Sequence, residues 1–465
     1  MRASLLLAVG ARALAPSAQP RPPALQPLNN WLKGTCSAYD RVAVGPSTDT
    51  DRPDDWGLRL QRDARRGDVL LEVPLNKCLT AAGAYEGIIG AKLSKAEEVA
   101  DEPFCAFCGD VALVALQLAA GDMAKEWADG MPRLEDHPLL MPDEPEGAPF
   151  WSSRSIEALR DNAREDYEWL CGNGVLEEVG WEEWKYCVAV AISRSVDLEG
   201  DLILAPGLDF CNHEDIVDPF DRGIGAVLRG NLFGADKKVA LVAPADGLKG
   251  DEVRISYGAL SAAEYLERYG FAPARGAAKR AAATCELRFE FKADERFVDD
   301  KVGLLERVGV VEVDEDRGDE AVGFEFKVGS GALDPELIKF LRLSELSGAD
   351  AFLLEPVFQV DIWRFLDLPV SEENERRSLE TVARECYAVA ETLRLPCADA
   401  PREAVRRAEL SALEAALEAV DAELGSLSSK EYYQERRLKE LGLDTEWSQD
   451  DAQWSATRSP GSVDW

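Results

Sequence analysis

The stretch "APGLDFCNHE" occupies residues 205–214, and "GDEVRISYGALSAAEYLERYGF" follows at residues 250–271. The first holds one of only two histidines in the chain, His213, beside Asp209, Cys211, Asn212 and Glu214. Asp209, Cys211 and His213 alternate, so on an extended segment they share one face. Their ligand softness is mixed and no second ligand pair accompanies them, so a metal site is not expected. A Ser–His–Asp triad would need His213 or His137, and neither has a nucleophile in its sequence context. The second stretch reads as a tight turn at Gly250, a short strand with Tyr257 at its end, a glycine, a helix, and then Tyr269-Gly270-Phe271.

The surrounding chain sets bounds on what these two segments can do. Its 465 residues allow two or three domains. A formal net charge of −35 repels nucleic acid and anionic lipid, so neither is expected as a partner. The same charge favours solubility and steers a basic partner inward. Ten cysteines are scattered without a secreted-type framework. Cys187 and Cys386 lie in apolar runs and read as buried small hydrophobes. Cys105 and Cys108 form one CxxC pair, with no second pair to complete a zinc site. No run approaches the ~20 apolar residues of a membrane span. Residues 1–30 carry arginines, a short apolar run, small residues and no acid. They read as a targeting segment or, failing that, a disordered Ala/Pro arm.

Local patterns supply the elements. "DVLLEVP" reads as a buried strand ended by Pro74. Residues 110–127 read as a helix with Asp110 at its N-cap, and "GWEEWKYCVAVAISRSVDL" as a longer helix. "LFGADKKVALVAP" and "GDEVRISYG" read as strands on either side of a turn. From about residue 276, "ATCELRFEFKADERF" and "AVGFEFKVG" read as strands. The remainder is helical to about residue 440. Asp334 and Pro335 open one helix. Leu379, Val382, Cys386, Ala390 and Leu393 form one apolar stripe. Leu410, Leu413, Leu417, Val420 and Leu424 form another, and both read as core packing. Walker, HExxH, GxSxG and kinase motifs are absent.

As a set, the two opening segments resemble the SET-domain protein methyltransferases of the Rubisco large-subunit lysine methyltransferase type. In that group an Asp-x-x-Asn-His segment precedes a GxEVxxxYG strand and a YGF close. The matching residues are Asp209, Asn212 and His213, then Gly250, Glu252, Val253, Tyr257 and Gly258, then Tyr269, Gly270 and Phe271. "WGLRLQRDARRGDVLLEVP" is similar to the group's opening, and "AISRSVDL" to its Ser-Arg helix end at Ser193 and Arg194. "LDPELIKFLRL" and "NERRSLETVARECYAVAETL" are similar to its substrate-binding domain. The resemblance spans roughly residues 40–440. Two departures stand out. Asp54-Asp55-Trp56-Gly57 replaces a Glu-Gly-x-Gly run, and Ser261-Ala262 replaces a Ser-Asn pair that bears on helix capping.

The resemblance implies an α+β protein. A SET fold of small curved β-sheets at 31–275 would carry a helical insertion at about 105–195. A mainly helical substrate-binding domain would follow at 276–445, with an arm at 1–30 and a disordered acidic tail at 446–465. The implied cofactor is S-adenosyl-L-methionine and the implied partner a folded protein substrate, methylated on lysine. A protein-histidine methyltransferase and a catalytically weak SET-like adaptor are the alternatives. Tyr257 is the implied catalytic residue. Asp54, Trp56, Arg194, Asp209, Asn212 and His213 are implied donor contacts, the first two through their backbone. Tyr269 and Phe271, with Arg194, would line the substrate channel. Such a channel has physical work to do, because neutralising a free lysine at pH 7 costs about 4–5 kcal/mol and burial among rings lowers that cost. A monomer is expected, in the chloroplast or another organelle if the arm is a signal, otherwise in the cytoplasm.

Overall fold

The computed structural model describes residues 25–48, 56–132, 134, 136–141, 154–214, 226–229, 237–258, 260–273, 283–291, 297–308, 322–329, 331–355, 362–397 and 400–440. It comprises two compact units. One is residues 1–282 with 396–408, and the other residues 283–395 with 409–465. Residues 396–408, which the sequence assigns to the C-terminal domain, group with the first unit. Residues 1–24 and the acidic tail at 446–465 lie outside the described residues. Leu25–Thr35 forms a helix (α1) that buries Leu28 and Leu32 one turn apart, so residues 25–30, expected within the arm, are helical.

Three small sheets build the first unit. Strands β1 (Val42–Pro46), β2 (Trp56–Leu60), β3 (Val69–Pro74) and β4 (Leu79–Thr80) precede a largely helical stretch. That stretch holds α2 (Gly87–Ala100), α3 (Asp110–Ala119), α4 (Lys125–Ala128), α5 (Arg154–Gly172) and α6 (Trp181–Arg194). Strands β5 (Val196–Leu198), β6 (Asp201–Leu204), β7 (Asn212–His213), β8 (Ala226–Arg229), β9 (Lys238–Val242) and β10 (Glu252–Ile255) follow, then helix α7 (Ala262–Tyr269). The sheet orders are β1-β2-β10-β7, β3-β9-β8 and β4-β6-β5.

The helix expected over 110–127 is broken. Gly109 precedes it in place of an Asp cap, and it ends at Ala119 because Gly121 turns the chain at φ 78°. Helix α6 is apolar almost all round, with Trp184, Cys187, Val188, Ala189, Val190 and Ala191 buried. A helix of that kind belongs inside, and α6 packs against α3. Trp184 Nε1 donates to the Ala163 carbonyl at 2.8 Å and ties α6 to α5. Because α6 ends at Arg194, this packing fixes where that guanidinium emerges.

The second unit starts with an antiparallel pair, β11 (Thr284–Phe291) and β12 (Val322–Gly329). Cys285, Leu287, Phe289 and Phe291 alternate inward with period two. Phe340 meets Phe324 at 4.5 Å and Phe291 at 5.3 Å between ring centroids. Its helix, Pro335–Ser344, opens as expected, with Asp334 accepting from Glu336 N at 2.9 Å. The helix Glu372–Thr392 buries Leu379, Val382 and Cys386. Farther along, Leu413 and Val420 are buried, and Leu410, Leu417 and Leu424 pack against the same core. Both stripes are therefore core.

A charged cluster is buried in this unit. Glu375, with its side chain 2% exposed, receives Arg342 Nε at 2.5 Å, Arg342 Nη2 at 3.0 Å and Lys430 Nζ at 3.3 Å. Removing one member strands a buried charge. Glu375→Ala is expected to lower unfolding free energy by about 3–5 kcal/mol in urea titration. Glu372→Ala, whose partner Arg376 lies in solvent, should shift it by about 0.5 kcal/mol or less.

Candidate active site

The two diagnostic segments meet in one sheet. Strand β7 runs parallel to β10, with Asn212 opposite Arg254 and His213 opposite Ile255. Glu214 N donates to the Ile255 carbonyl at 3.0 Å and closes the pairing. Residues forty positions apart in sequence thus become backbone neighbours, and Tyr257 leaves β10 two residues beyond His213's partner.

Tyr257 is held at both ends. Its hydroxyl donates to the Cys211 carbonyl at 2.7 Å, and its backbone N–H donates to His213 Nδ1 at 3.2 Å. Its ring stacks on Tyr269 with centroids 4.3 Å apart and planes at 30°. Phe271 lies 6.2 Å from the His213 ring and 5.5 Å from Tyr265. Tyr265 is buried, lies 3.2 Å from His213 Nε2 and donates to the Gly258 carbonyl at 2.7 Å. Burial pushes the Tyr269 phenol above its ordinary pKa, against a smaller opposing effect of Arg268. Ser261 and Glu264 form a full capping box at the start of α7. Ala262 therefore leaves the helix cap intact.

Asn212 has both amide protons engaged by the protein. Nδ2 donates to Glu252 Oε1 at 2.6 Å, to the Trp56 carbonyl at 3.1 Å and to Ser47 Oγ at 3.3 Å. Only its carbonyl oxygen is left for another group among the described residues. Glu252 is the hub. Burial raises its pKa, but bonds from Thr48 Oγ1 and N, from Asn212, and the Arg254 charge outweigh burial and hold it near 2. Gly57 is the glycine that the opening run keeps, and Asp55, which stands where the first would be, lies outside the described residues. A Cβ at Gly57 would lie 2.3 Å from Glu252 Oε1, so this glycine makes room for the Glu252 carboxylate. Trp56 contributes its carbonyl to Asn212, and Asp54 lies outside the described residues.

Arg194 and Asp209 meet through the backbone. Arg194 Nη1 donates to the main-chain carbonyl of Asp209 at 2.8 Å, and Arg194 Nε is buried without a partner. The Asp209 carboxylate accepts from Trp127 Nε1 at 2.9 Å and Gly207 N at 2.8 Å, so it holds the loop. Burial raises its pKa to about 6, against these bonds and the Arg194 charge. His137 is fully buried and burial lowers its pKa to about 3, which marks it as a neutral core residue. Among the described residues no three His, Cys, Asp or Glu side chains group to hold a metal ion. The turn between Cys105 and Cys108 instead presents the Phe107 and Cys108 N–H groups to Asp166, at 2.7 and 2.9 Å.

The structure brings together Trp56, Asn212, His213, Tyr257, Tyr269 and Phe271, and separately Arg194 with Asp209. Three contributors had no place in the sequence reading, Thr48, Trp127 and Tyr265, and Glu252 stood there only as a motif residue. Tyr265 had a usable signal, since it lies four residues before Tyr269 on one helical face. Trp127 and Thr48 had none, because their partners are distant in sequence.

Known proteins share this fold. Residues 292–394 match the family model described as Rubisco LSMT substrate-binding. The tobacco chloroplastic ribulose-1,5-bisphosphate carboxylase/oxygenase large subunit N-methyltransferase is 26% identical over 452 residues, covering 90% of this chain and 86% of the relative. The chloroplastic [fructose-bisphosphate aldolase]-lysine N-methyltransferase of Arabidopsis thaliana is 25% identical, covering 89% and 86%. A crystal structure of the SET domain of LSMT bound to lysine and AdoHcy superposes with TM-score 0.73 at 24% identity, covering 94% of this chain and 99% of that one. Rubisco LSMT bound to AdoMet gives 0.67 at 22% identity, covering 93% and 99%. The fold is thus that of a SET-domain protein. In architecture the chain is similar to the Rubisco large-subunit methyltransferases, with its C-terminal region matching the LSMT substrate-binding model.

Asp209 offers a physical check on this geometry. Its folded pKa of about 6 lies above the ordinary value of about 3.9, so the folded state takes up the proton first as pH falls. The cost of burying its charge is present above pH 6 and is relieved as pH falls toward 4. Relative to Asp209→Asn, the parent should lose on the order of 2–3 kcal/mol of unfolding free energy between pH 4 and pH 7. Denaturant titrations of both proteins across that range measure it, and parallel curves would contradict the burial.

Proposed function

We infer that this chain is an S-adenosylmethionine-dependent protein-lysine N-methyltransferase. The observation that carries the reading is the Tyr257 hydroxyl anchored to the Cys211 carbonyl, between the Asn212-His213 strand and the stacked ring of Tyr269. S-adenosylmethionine supplies a methyl carbon on a cationic sulfur, already activated for displacement without a metal. The residues present fit it. Arg194 Nε is a buried donor without a partner, suited to a carboxylate. Asn212 has its carbonyl oxygen left for an ammonium. Trp56 adds backbone, and Asp209 holds the loop from which Arg194 is braced.

Tyr257 acts by position. Its proton is directed to Cys211, so the oxygen's lone pairs face away and can accept from the incoming amine and from polarised C–H groups. Tyr269 and Phe271 flank it with apolar surface, which disfavours an ammonium and favours the neutral amine. Alignment of the two reactants supplies much of the acceleration. The relatives named above methylate proteins, and the aldolase enzyme is named for lysine, which favours lysine over histidine. The adaptor reading rests on the altered run at 54–57, and the relatives, both named as N-methyltransferases, favour an enzyme over it.

The SET domain is read as residues 31–275 and the substrate-gripping domain as 276–445. The net charge of −35 favours a basic surface on the target. Both relatives are chloroplastic, and the acid-free start of this chain is compatible with a plastid address.

Calorimetric titration with S-adenosylmethionine should show one site, and no heat at millimolar donor would refute the reading. Asn212→Ala should weaken that binding about tenfold or more, the loss of one hydrogen bond to a charged group. Tyr257→Phe should bind donor within about twofold yet lower transfer at least about a hundredfold. Labelled methyl supplied with chloroplast-stroma extract should appear in a discrete protein band, on lysine by mass spectrometry. Label confined to a cytosolic extract would overturn the plastid assignment.

A further inference from the structure

Strand β10 ends at Ile255, and Ser256, Tyr257 and Gly258 continue beyond its ladder with β7. Gly258 also has φ +106°, which L side chains rarely adopt, and a Cβ there would find mostly open space. A chain of three hydrogen bonds ties this stretch of backbone to the neighbouring strand and helix. Tyr257 N–H reaches His213 Nδ1 at 3.2 Å, His213 Nε2 lies 3.2 Å from Tyr265 Oη, and Tyr265 Oη reaches the Gly258 carbonyl at 2.7 Å.

The direction of each bond follows from chemistry. A backbone N–H only donates, so Nδ1 is the accepting nitrogen. Neutral imidazole then carries its proton on Nε2. A carbonyl only accepts, so the single phenolic proton of Tyr265 goes to Gly258. The Tyr265 lone pair is left to receive Nε2–H. The circuit starts on the N–H of Tyr257 and closes on the carbonyl of the next residue. Tyr265 is 4% exposed, on a helix fixed by the Ser261–Glu264 capping box. That helix also delivers Tyr269, four residues on, against the Tyr257 ring.

We propose that Tyr265 is a positioning residue: with His213 it locks the Tyr257–Gly258 backbone and thereby aims the Tyr257 hydroxyl at the reacting amine. This rests on the role of Tyr257 argued above. Tyr265→Phe keeps the ring that packs beside Phe271 and removes only the hydroxyl. With two histidines in the chain, nitrogen-15 spectra of the imidazoles report the tautomer directly. The parent should show His213 as the Nε2–H form at neutral pH, and the variant a mixture. Donor affinity by calorimetry should stay within about twofold. Methyl incorporation into stroma extract at saturating donor should fall about ten- to a hundredfold, with the KM for donor unchanged.

A parent His213 in the Nδ1–H or charged form overturns the proposal. So does a variant that transfers methyl at the parental rate. Parallel losses of donor affinity, rate and melting temperature also overturn it, since they mark a purely structural role. A parent that transfers no methyl sinks the functional reading instead, and the imidazole spectra then decide the circuit alone.

Discussion

The site depends on the parallel pairing of a two-residue strand, Asn212–His213, with Arg254–Ile255. A parallel pair cannot be made by a tight turn, so the intervening chain must travel and return. Here it passes through β8 and β9, a separate sheet with β3. The cost in loop closure is modest for a segment of that length. The gain is local: Asn212 beside Glu252, His213 beneath the Tyr257 N–H, and the Cys211 carbonyl opposite the Tyr257 hydroxyl. A slip of one residue would turn each of these side chains to the other face.

Two carboxylates brace the pairing, and they solve burial in opposite ways. Glu252 gathers donors from Thr48, Ser47, Asn212 and Arg254, and stays ionised with a pKa near 2. Asp209 has neutral donors in Trp127 and the loop backbone, with Arg194 bonded to its main-chain carbonyl, so burial prevails and its pKa rises to about 6. The difference is one of donor count and nearby charge, as expected when desolvation competes with hydrogen bonding. Glu252 therefore suits the task of orienting Asn212 at any physiological pH. Asp209 suits a structural post, where a change in its ionisation would be felt in stability first.

Much of this was legible in the sequence because the diagnostic residues cluster within short segments. Asn212-His213 and Tyr257-Gly258 name their own neighbourhood, and the helical starts at Asp334 and Pro335 follow from local backbone chemistry. The apolar stripes at 379–393 and 410–424 were legible as core for the same reason: their period needs no partner to be read. What sequence could not supply was anything set by contacts between distant segments. Trp127 anchoring Asp209, Thr48 reaching Glu252 and the grouping of residues 396–408 with the first unit are of that kind. The glycine that the opening run keeps, Gly57, belongs with them: a Cβ there would meet the Glu252 carboxylate from a strand far along the chain.

The two histidines sharpen the chemical picture. His137 is fully buried and neutral, and His213 spends Nδ1 on a backbone N–H. A ring whose acceptor nitrogen is occupied by an amide proton is poorly placed to take a proton from an amine. Under the proposed function the methyl acceptor therefore arrives neutral or loses its proton by another route, and apolar surface from Tyr269 and Phe271 would favour the neutral form. On this view the site works as a mould: Tyr257 orients, the aromatic rings desolvate, and the histidine serves the backbone on which the tyrosine stands.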